Sequence, residues 1–502
     1  MDLDGYRRSA ETFVTELTRE YYRHYAGLKD EYEIEPIYER HGALFTREAV
    51  ESLRDFADRA PGGSEELRRL TMLVDFAVEG YVGEATKSAE SELARREAGL
   101  SFEFDGQRLG FRESSVAQAN EPEAGRRAAI EDARLLLTEE QLGDLHRELL
   151  DRSHRCAADL GWASYREMCE DCKLIDLGAL QRQTDAFVRA SDGVYPELLD
   201  PELQRTLGFG FKDLARSDLP RFNRAADKDA LFPADRLLPS FVETMHGLGI
   251  EVRAQPGVIL DVDPRPKKSP RAFCAPVRSP GEVYLVLTPI GGLEDFSVLF
   301  HEGGHTEHFA NVDPALPFEF RYLGDNSITE GFAFLLEHLV EDPEWLRRRL
   351  GVTDASELIA HTRAQRLVYL RRYAGKLAYE LELHGNGQSR DVGGLADRYS
   401  ELLGGAVGVK WPRETFLADV DPGFYCACYL RAWALETYLR RALRERFGSA
   451  WFERPEAGDL LRELWRQGQR LTPQEMLAQI GAGDKLDFGV MLEDLGLRSP
   501  SG

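Results

Sequence analysis

No apolar run in this sequence approaches the roughly 20 residues that a helix needs to cross a bilayer. The N-terminus, MDLDGYRRSAETF, also lacks the charged-then-apolar pattern of a secretory signal. These two absences leave a cytoplasmic location as the expectation. Cysteine is scarce, with six in 502 residues, which is too few for a disulfide framework. Cys169 and Cys172 form one CxxC. Neither a second pair nor suitably spaced histidines complete a zinc site around it, and no βαβ setting marks a redox motif, so these thiols read as structural. Basic residues are also in deficit, 63 against 87 acidic ones, for a formal charge of −24. So acidic a chain repels nucleic acid and anionic membrane surfaces, because phosphate binding needs clustered Lys and Arg. The charge serves solubility first, and an attraction for cationic peptides second. No repeat or low-complexity tract appears.

What remains is an ordinary globular composition, 43% apolar and 30% charged. The length suggests two or three structural units. Helical periodicity dominates. Phe13, Leu17, Tyr21 and Tyr25 recur every four residues and share a helix face. Thr138 and Gln141 have the spacing of a capping box ahead of Leu142, Leu145, Leu149 and Leu150. Thr472, Pro473 and Glu475 supply cap, first-turn proline and capping acid, with Gly481 as the stop. One region departs from this texture. Between Gly257 and Pro289 two extended apolar runs, Val258 to Val262 and Val283 to Leu287, are separated by prolines and a Pro280-Gly281 turn. This predicts a small antiparallel sheet, whose edge is either structural or available to an extended peptide. A boundary is expected near residues 190 to 240, marked by Asp200-Pro201 and the polar stretch Arg221 to Asp229. It divides an N-terminal helical region, 1–200, from a catalytic region, 201–502.

The sharpest signal is His301-Glu302-Gly303-Gly304-His305, preceded by apolar Phe296, Val298, Leu299 and Phe300. On a helix, residues four apart share a face, so both imidazoles reach one metal. Glu302 then stands beside the open coordination position, placed to take a proton from the attacking water. Two glycines inside a helix cost about 1 kcal/mol each relative to alanine, which points to a close approach by substrate or neighbouring backbone. A zinc hydrolase needs a third protein ligand. Glu330 opens an apolar helical run through Leu339, and a carboxylate facing a core needs a partner such as a metal. Its alternative is a first-turn acid favoured by the helix dipole. Glu337 is positioned either to orient an imidazole or to face solvent. His308 is either a second-shell or substrate contact or an exposed helix histidine. His384 reads as a helix C-terminal cation.

The run His301-Glu302-x-Gly304-His305-x-x-His308, with Glu330 and Glu337 downstream, resembles the oligopeptidases related to thimet oligopeptidase and oligoendopeptidase F. Arg271-Ala-Phe-Cys274 and Asp295-x-x-x-Leu299-Phe300 resemble the same family's approach to its motif. The resemblance implies one zinc ion held by His301, His305 and Glu330, with Glu302 as base. Asp421-Pro-Gly-Phe-Tyr-Cys-Ala-Cys-Tyr429 resembles the family's FYxxxY segment, which implies that Tyr429, or secondly Tyr425, donates to the oxyanion. Asp419 and Asp421 stand where the family carries a histidine, and Ala427 where it often has an aromatic. The likeness runs from Arg271 to Leu497. It implies a mainly α, zincin-type peptidase, with a small antiparallel sheet beside the active site and a deep channel between two helical halves. The implied activity is hydrolysis of short, unfolded peptides. A helical metallocarboxypeptidase is the second reading, and it needs a cation such as Arg371, Arg372 or Arg431 for the substrate carboxylate. A metal-containing binding protein without turnover is the third, and an intact Glu302 argues against it.

Overall fold

Helix dominates, as the four-residue apolar spacing predicts. The computed structural model describes residues 1–385 and 392–497. Six of its helices carry the argument: α1 (Leu3–Tyr25), α2 (Ala234–Gly247), α3 (Leu293–Ala310), α4 (Asn326–Glu337), α5 (Ser356–Leu383) and α6 (Tyr425–Phe447). The strands are β1 (Ser101–Phe104), β2 (Gln107–Gly110), β3 (Val258–Asp261), β4 (Phe273–Arg278) and β5 (Glu282–Val286). By packing, the chain forms two compact units, each assembled from separate stretches. One holds Met1–Ala77, Lys228–Ile359 and Arg431–Met491, and the other holds Val78–Asp227, Ala360–Leu430 and the stretch from Leu492. Among the described residues, no helix is long and apolar enough to cross a membrane.

The first unit contains the HEGGH motif. Its sheet runs in the order β3-β5-β4. An antiparallel pair is there between β4 and β5, but the two runs singled out in the sequence, β3 and β5, pair in parallel, and β4 was not among them. Helix α1 lies against this sheet. Tyr22 stacks on Tyr284 at 3.7 Å and donates to Asp261 at 3.1 Å. At its other end Arg7 ties α1 to Glu319 and Glu66, at 2.6 and 2.8 Å. On the face predicted from sequence Phe13 is buried, but Tyr25 is 38% exposed.

Helix α3 owes its position to its apolar start. Phe296, Leu299 and Phe300 are fully buried, and Phe300 packs edge-on against Phe241 of α2 and against Trp345. Asp295 in its first turn accepts the backbone N–H groups of Ile290 and Gly291, both at 2.8 Å, and its charge suits the helix dipole. Helix α4 starts earlier than its sequence suggests. Asp325 caps it by accepting from Ser327 N–H at 2.9 Å and is pinned by Arg431 at 2.7 Å, so Glu330 lies in the second turn rather than at the start. The Thr472–Glu475 capping box forms as expected, and Gly481 follows at φ +76°.

The second unit is helical apart from the β1–β2 hairpin. Thr138 does not cap a helix. The chain stays helical through a π turn at Thr138–Leu142, and the Thr138 hydroxyl bonds back to the Arg134 carbonyl at 2.9 Å. That back-bond removes the oxygen a capping box would use. Buried ions are paired here: Arg127 meets Asp218 at 2.7 Å, and Lys376 bridges Asp421 at 2.7 Å and Asp419 at 3.3 Å.

Candidate metal centre

Helix geometry brings His301 and His305 to one face of α3, and α4 lies alongside with Glu330 opposite them. Glu330 Oε2 is 3.3 Å from His301 Nε2 and 3.6 Å from His305 Nε2. One donor atom from each of the three lies within 4.8 Å of the others. Three ligand atoms around a tetrahedral zinc with bonds of about 2.0–2.1 Å stand about 3.3 Å apart, so the spacing fits. The donor set fits too, since two imidazoles and one carboxylate, with a place left open, is a hydrolytic zinc set.

Both imidazoles are held from behind. His301 Nδ1 meets Glu337 Oε2 at 2.8 Å, and His305 Nδ1 meets the Thr329 hydroxyl at 2.8 Å. When Nδ1–H is donated to these partners, each Nε2 is left free to bind a metal. Glu337 thus contacts His301 while its side chain stays 33% exposed. Thr329 escaped the sequence reading. A threonine next to a candidate ligand is unremarkable until the two helices are placed, so nothing in the residues themselves flags it.

Electrostatics point the same way. Burial works against charge on His301, but the hydrogen bonds and charges of Glu330 and Glu337 outweigh it and push its pKa up to about 10. Burial likewise opposes charge on Glu330, yet the two histidines hold its carboxyl far below the usual range. Both shifts express one close contact, in which two imidazoles and a carboxylate are drawn toward the same point.

The two glycines have separate reasons. A Cβ on Gly304 would lie 2.5 Å from Ala333 Cα and 2.6 Å from Phe332 O, so α3 and α4 touch backbone to backbone there. A Cβ on Gly303 would meet the Phe241 ring at 2.3 Å. The close approach expected from the glycine cost is thus a neighbouring backbone at one position and an aromatic ring at the other.

Glu302 sits on the sheet side of α3, where its Oε2 accepts the Cys274 N–H of β4 at 2.9 Å. β4 is an edge strand, and Cys274 points its N–H outward. The next outward position is Pro276, which has no N–H, so neither position has a backbone donor to spare.

Other candidates lie elsewhere. His308 is 0% exposed, stacked against Phe309 at 5.2 Å and tilted against Phe332 at 5.1 Å, and burial lowers its pKa to about 3. This corrects the expectation of a substrate contact or an exposed helix histidine: the residue is a neutral part of the core. His384 follows the last turn of α5 as expected, but it is buried, with Nδ1 2.9 Å from His154 Nε2 and its ring packed on Tyr165 and Phe424. Tyr425 and Tyr429 share a face of α6 with rings 5.0 Å apart, and Tyr373 of α5 meets Tyr429 at 5.7 Å. The three arginines considered for a substrate carboxylate are committed. Arg371 binds Ala406 O, Val188 O, Ser191 and Asp192, while Arg372 binds Asp419 and Arg431 binds Asp325.

No protein-family model matches the chain, and no curated protein matches it. Solved structures do. A Bacillus anthracis str. Ames chain provisionally named oligoendopeptidase F superposes with a TM-score of 0.65 at 15% identity, over 97% of this chain and 88% of that one. A second chain under the same provisional name, solved by X-ray at 3.1 Å, gives a TM-score of 0.68 at 15% identity, over 97% and 89%. The chain has the fold of these oligoendopeptidase F structures. At such identity the likeness carries the fold alone.

Proposed function

We propose that this protein is a zinc-dependent peptidase acting on short, unfolded peptides. The observation that supports it above all is the convergence of His301, His305 and Glu330 with Glu302 beside them. Three side chains from two separated stretches of sequence meet in a donor set that suits a hydrolytic zinc, and Glu302 follows His301 directly in the chain. A zinc ion, when bound, supplies Lewis acidity toward the scissile carbonyl and lowers the pKa of water toward neutrality.

The chain's own groups do the rest. His301, His305 and Glu330 hold the metal, while Glu337 and Thr329 fix the imidazoles. Glu302 takes the proton of the attacking water and returns it to the leaving amine. Its anchor on Cys274 N–H keeps one carboxylate oxygen fixed and the other available. Tyr429, with Tyr425 second, donates to the developing oxyanion, a contribution of about 3–4 kcal/mol when such a donor is lost. The carboxypeptidase alternative is weakened because Arg371, Arg372 and Arg431 all have internal partners. Digestion of a peptide library by the zinc-loaded protein, read by mass spectrometry with and without a chelator, tests the reading. Internal cleavage that the chelator abolishes is expected, and a zinc-bearing protein that cuts nothing refutes it.

A further inference from the structure

Phe273 precedes Cys274 on β4, so the backbone group that anchors Glu302 adjoins an aromatic side chain. Phe273 packs with Ala26, Ala275 and Val286 in the core, and its ring meets Tyr21 of α1 edge-on at 5.3 Å. From there the rings continue outward. Tyr21 lies 4.6 Å from Tyr25, Tyr25 lies 5.8 Å from Tyr32, and Tyr32 stacks on His24 at 5.3 Å. Tyr25 also reaches Phe273, at 6.3 Å. The row starts beside a carboxylate and ends in solvent, with Tyr25 38% and Tyr32 39% exposed. The Tyr21 phenol is close enough to Glu302 and Cys274 to feel both. Burial first, and then Glu302, Tyr25 and Cys274 in that order, raise its pKa.

A row of partly exposed aromatics has a structural cost, since each ring left in water forgoes burial. Isolated exposed rings need no explanation, but a contiguous row ending at a candidate catalytic base does. Its flat faces and edges suit another ring in offset or edge-on packing, and the phenol hydroxyls leave its rim wet. From this continuity we infer that Tyr21, Tyr25 and Tyr32, backed by Phe273, form a subsite for one aromatic side chain of the substrate peptide near the scissile bond. The inference rests on the peptidase reading and adds a substrate preference to it.

The test uses the full-length zinc-loaded protein and matched quenched peptides differing only in Phe or Ala at each position around the cleaved bond. Wild type is expected to favour Phe over Ala by roughly tenfold or more in kcat/KM at one position, within the range a hydrophobic pocket gives. Tyr25→Ala and Tyr32→Ala, both at partly exposed sites, should each reduce that ratio to about threefold or less. A binding measurement in the Glu302→Gln background, by fluorescence anisotropy, should show the same narrowing of the Phe-to-Ala ratio without turnover. If both variants keep the wild-type ratio at every position, or lose activity equally on all peptides, the subsite is wrong while the peptidase reading stands. A wild-type protein that cleaves no peptide overturns both.

Discussion

Replacing Gly304 with alanine puts a methyl group where α3 and α4 meet. The added Cβ would sit 2.5 Å from Ala333 Cα and 2.6 Å from Phe332 O, both backbone atoms that no rotamer change can move aside. Ordinary contact begins near 3.4 Å, so the axes must separate by about 0.9 Å. Alanine gains about 1 kcal/mol of helix propensity over glycine. Overpacking costs about 1–3 kcal/mol, and the net effect on stability is therefore a modest loss. The effect on metal is larger. Glu330 lies one turn from Ala333 on the same rigid helix, so it retreats from the two imidazoles by a comparable distance. Zinc bonds tolerate about 0.2 Å. We expect zinc affinity to fall at least tenfold, and up to about a hundredfold, as when outer-sphere supports of a zinc site are removed. Chelator competition at pH 7 measures it, with thermal unfolding recorded beside it. Gly303→Ala is the control, because its clash is with a side chain, the Phe241 ring of α2, rather than with the backbone of α4. It should cost stability and leave zinc affinity within about threefold. If Gly304→Ala binds zinc as tightly as wild type, helix contact at this glycine does not set the ligand spacing.

Other outcomes follow from the same geometry. Glu302→Gln should retain a full complement of zinc by elemental analysis while kcat drops by about 10²–10⁴, the contribution typical of a positioned base. Glu330→Ala should lose the metal, and normal zinc content in that variant identifies the wrong third ligand. Thr329→Val removes the hydroxyl behind His305 at nearly constant volume. Zinc should bind about tenfold more weakly and recover in Thr329→Ser, whereas an unchanged affinity removes Thr329 from the site. In the second unit, burial above all raises the Glu380 pKa to about 8, against a partly compensating Lys376. The folded state therefore favours the protonated acid. The stability this contributes is complete below the unfolded value near 4.5 and is lost as pH rises through about 8. Thermal unfolding of wild type should decline from pH 5 to pH 9 more steeply than that of Glu380→Gln, and parallel curves refute the assignment.

Much of the site was legible because its spacing is local. The four-residue step from His301 to His305 defines a shared face, and the buried Phe296, Leu299 and Phe300 show which way that helix turns. Glu330 stood out as an acid in an apolar run. What was hidden depended on the meeting of distant segments. Nothing in Thr329 distinguishes it from a core threonine until α3 is laid beside α4. His308 misled because three-residue spacing from His305 suggests a part in the site, whereas its ring is fully buried and packs on Phe309 and Phe332. The π turn at Thr138 mimicked a helix start, since the same hydroxyl can cap a new helix or bond back into an old one. The interleaving of the two units was also invisible, because composition and breakers report neighbours along the chain and not the contacts that group separated stretches.

Thr329, Glu330 and Glu337 all ride on a single twelve-residue rod, and both imidazoles ride on another. The cage thus has few independent degrees of freedom, and the leading one is the gap between two cylinders. Ion radius is then matched by that gap more than by the flexibility of any one ligand. An engineer wishing to favour a larger divalent ion would do better to reshape the pair Gly304 and Ala333, widening the gap by a few tenths of an ångström, than to exchange the donors themselves.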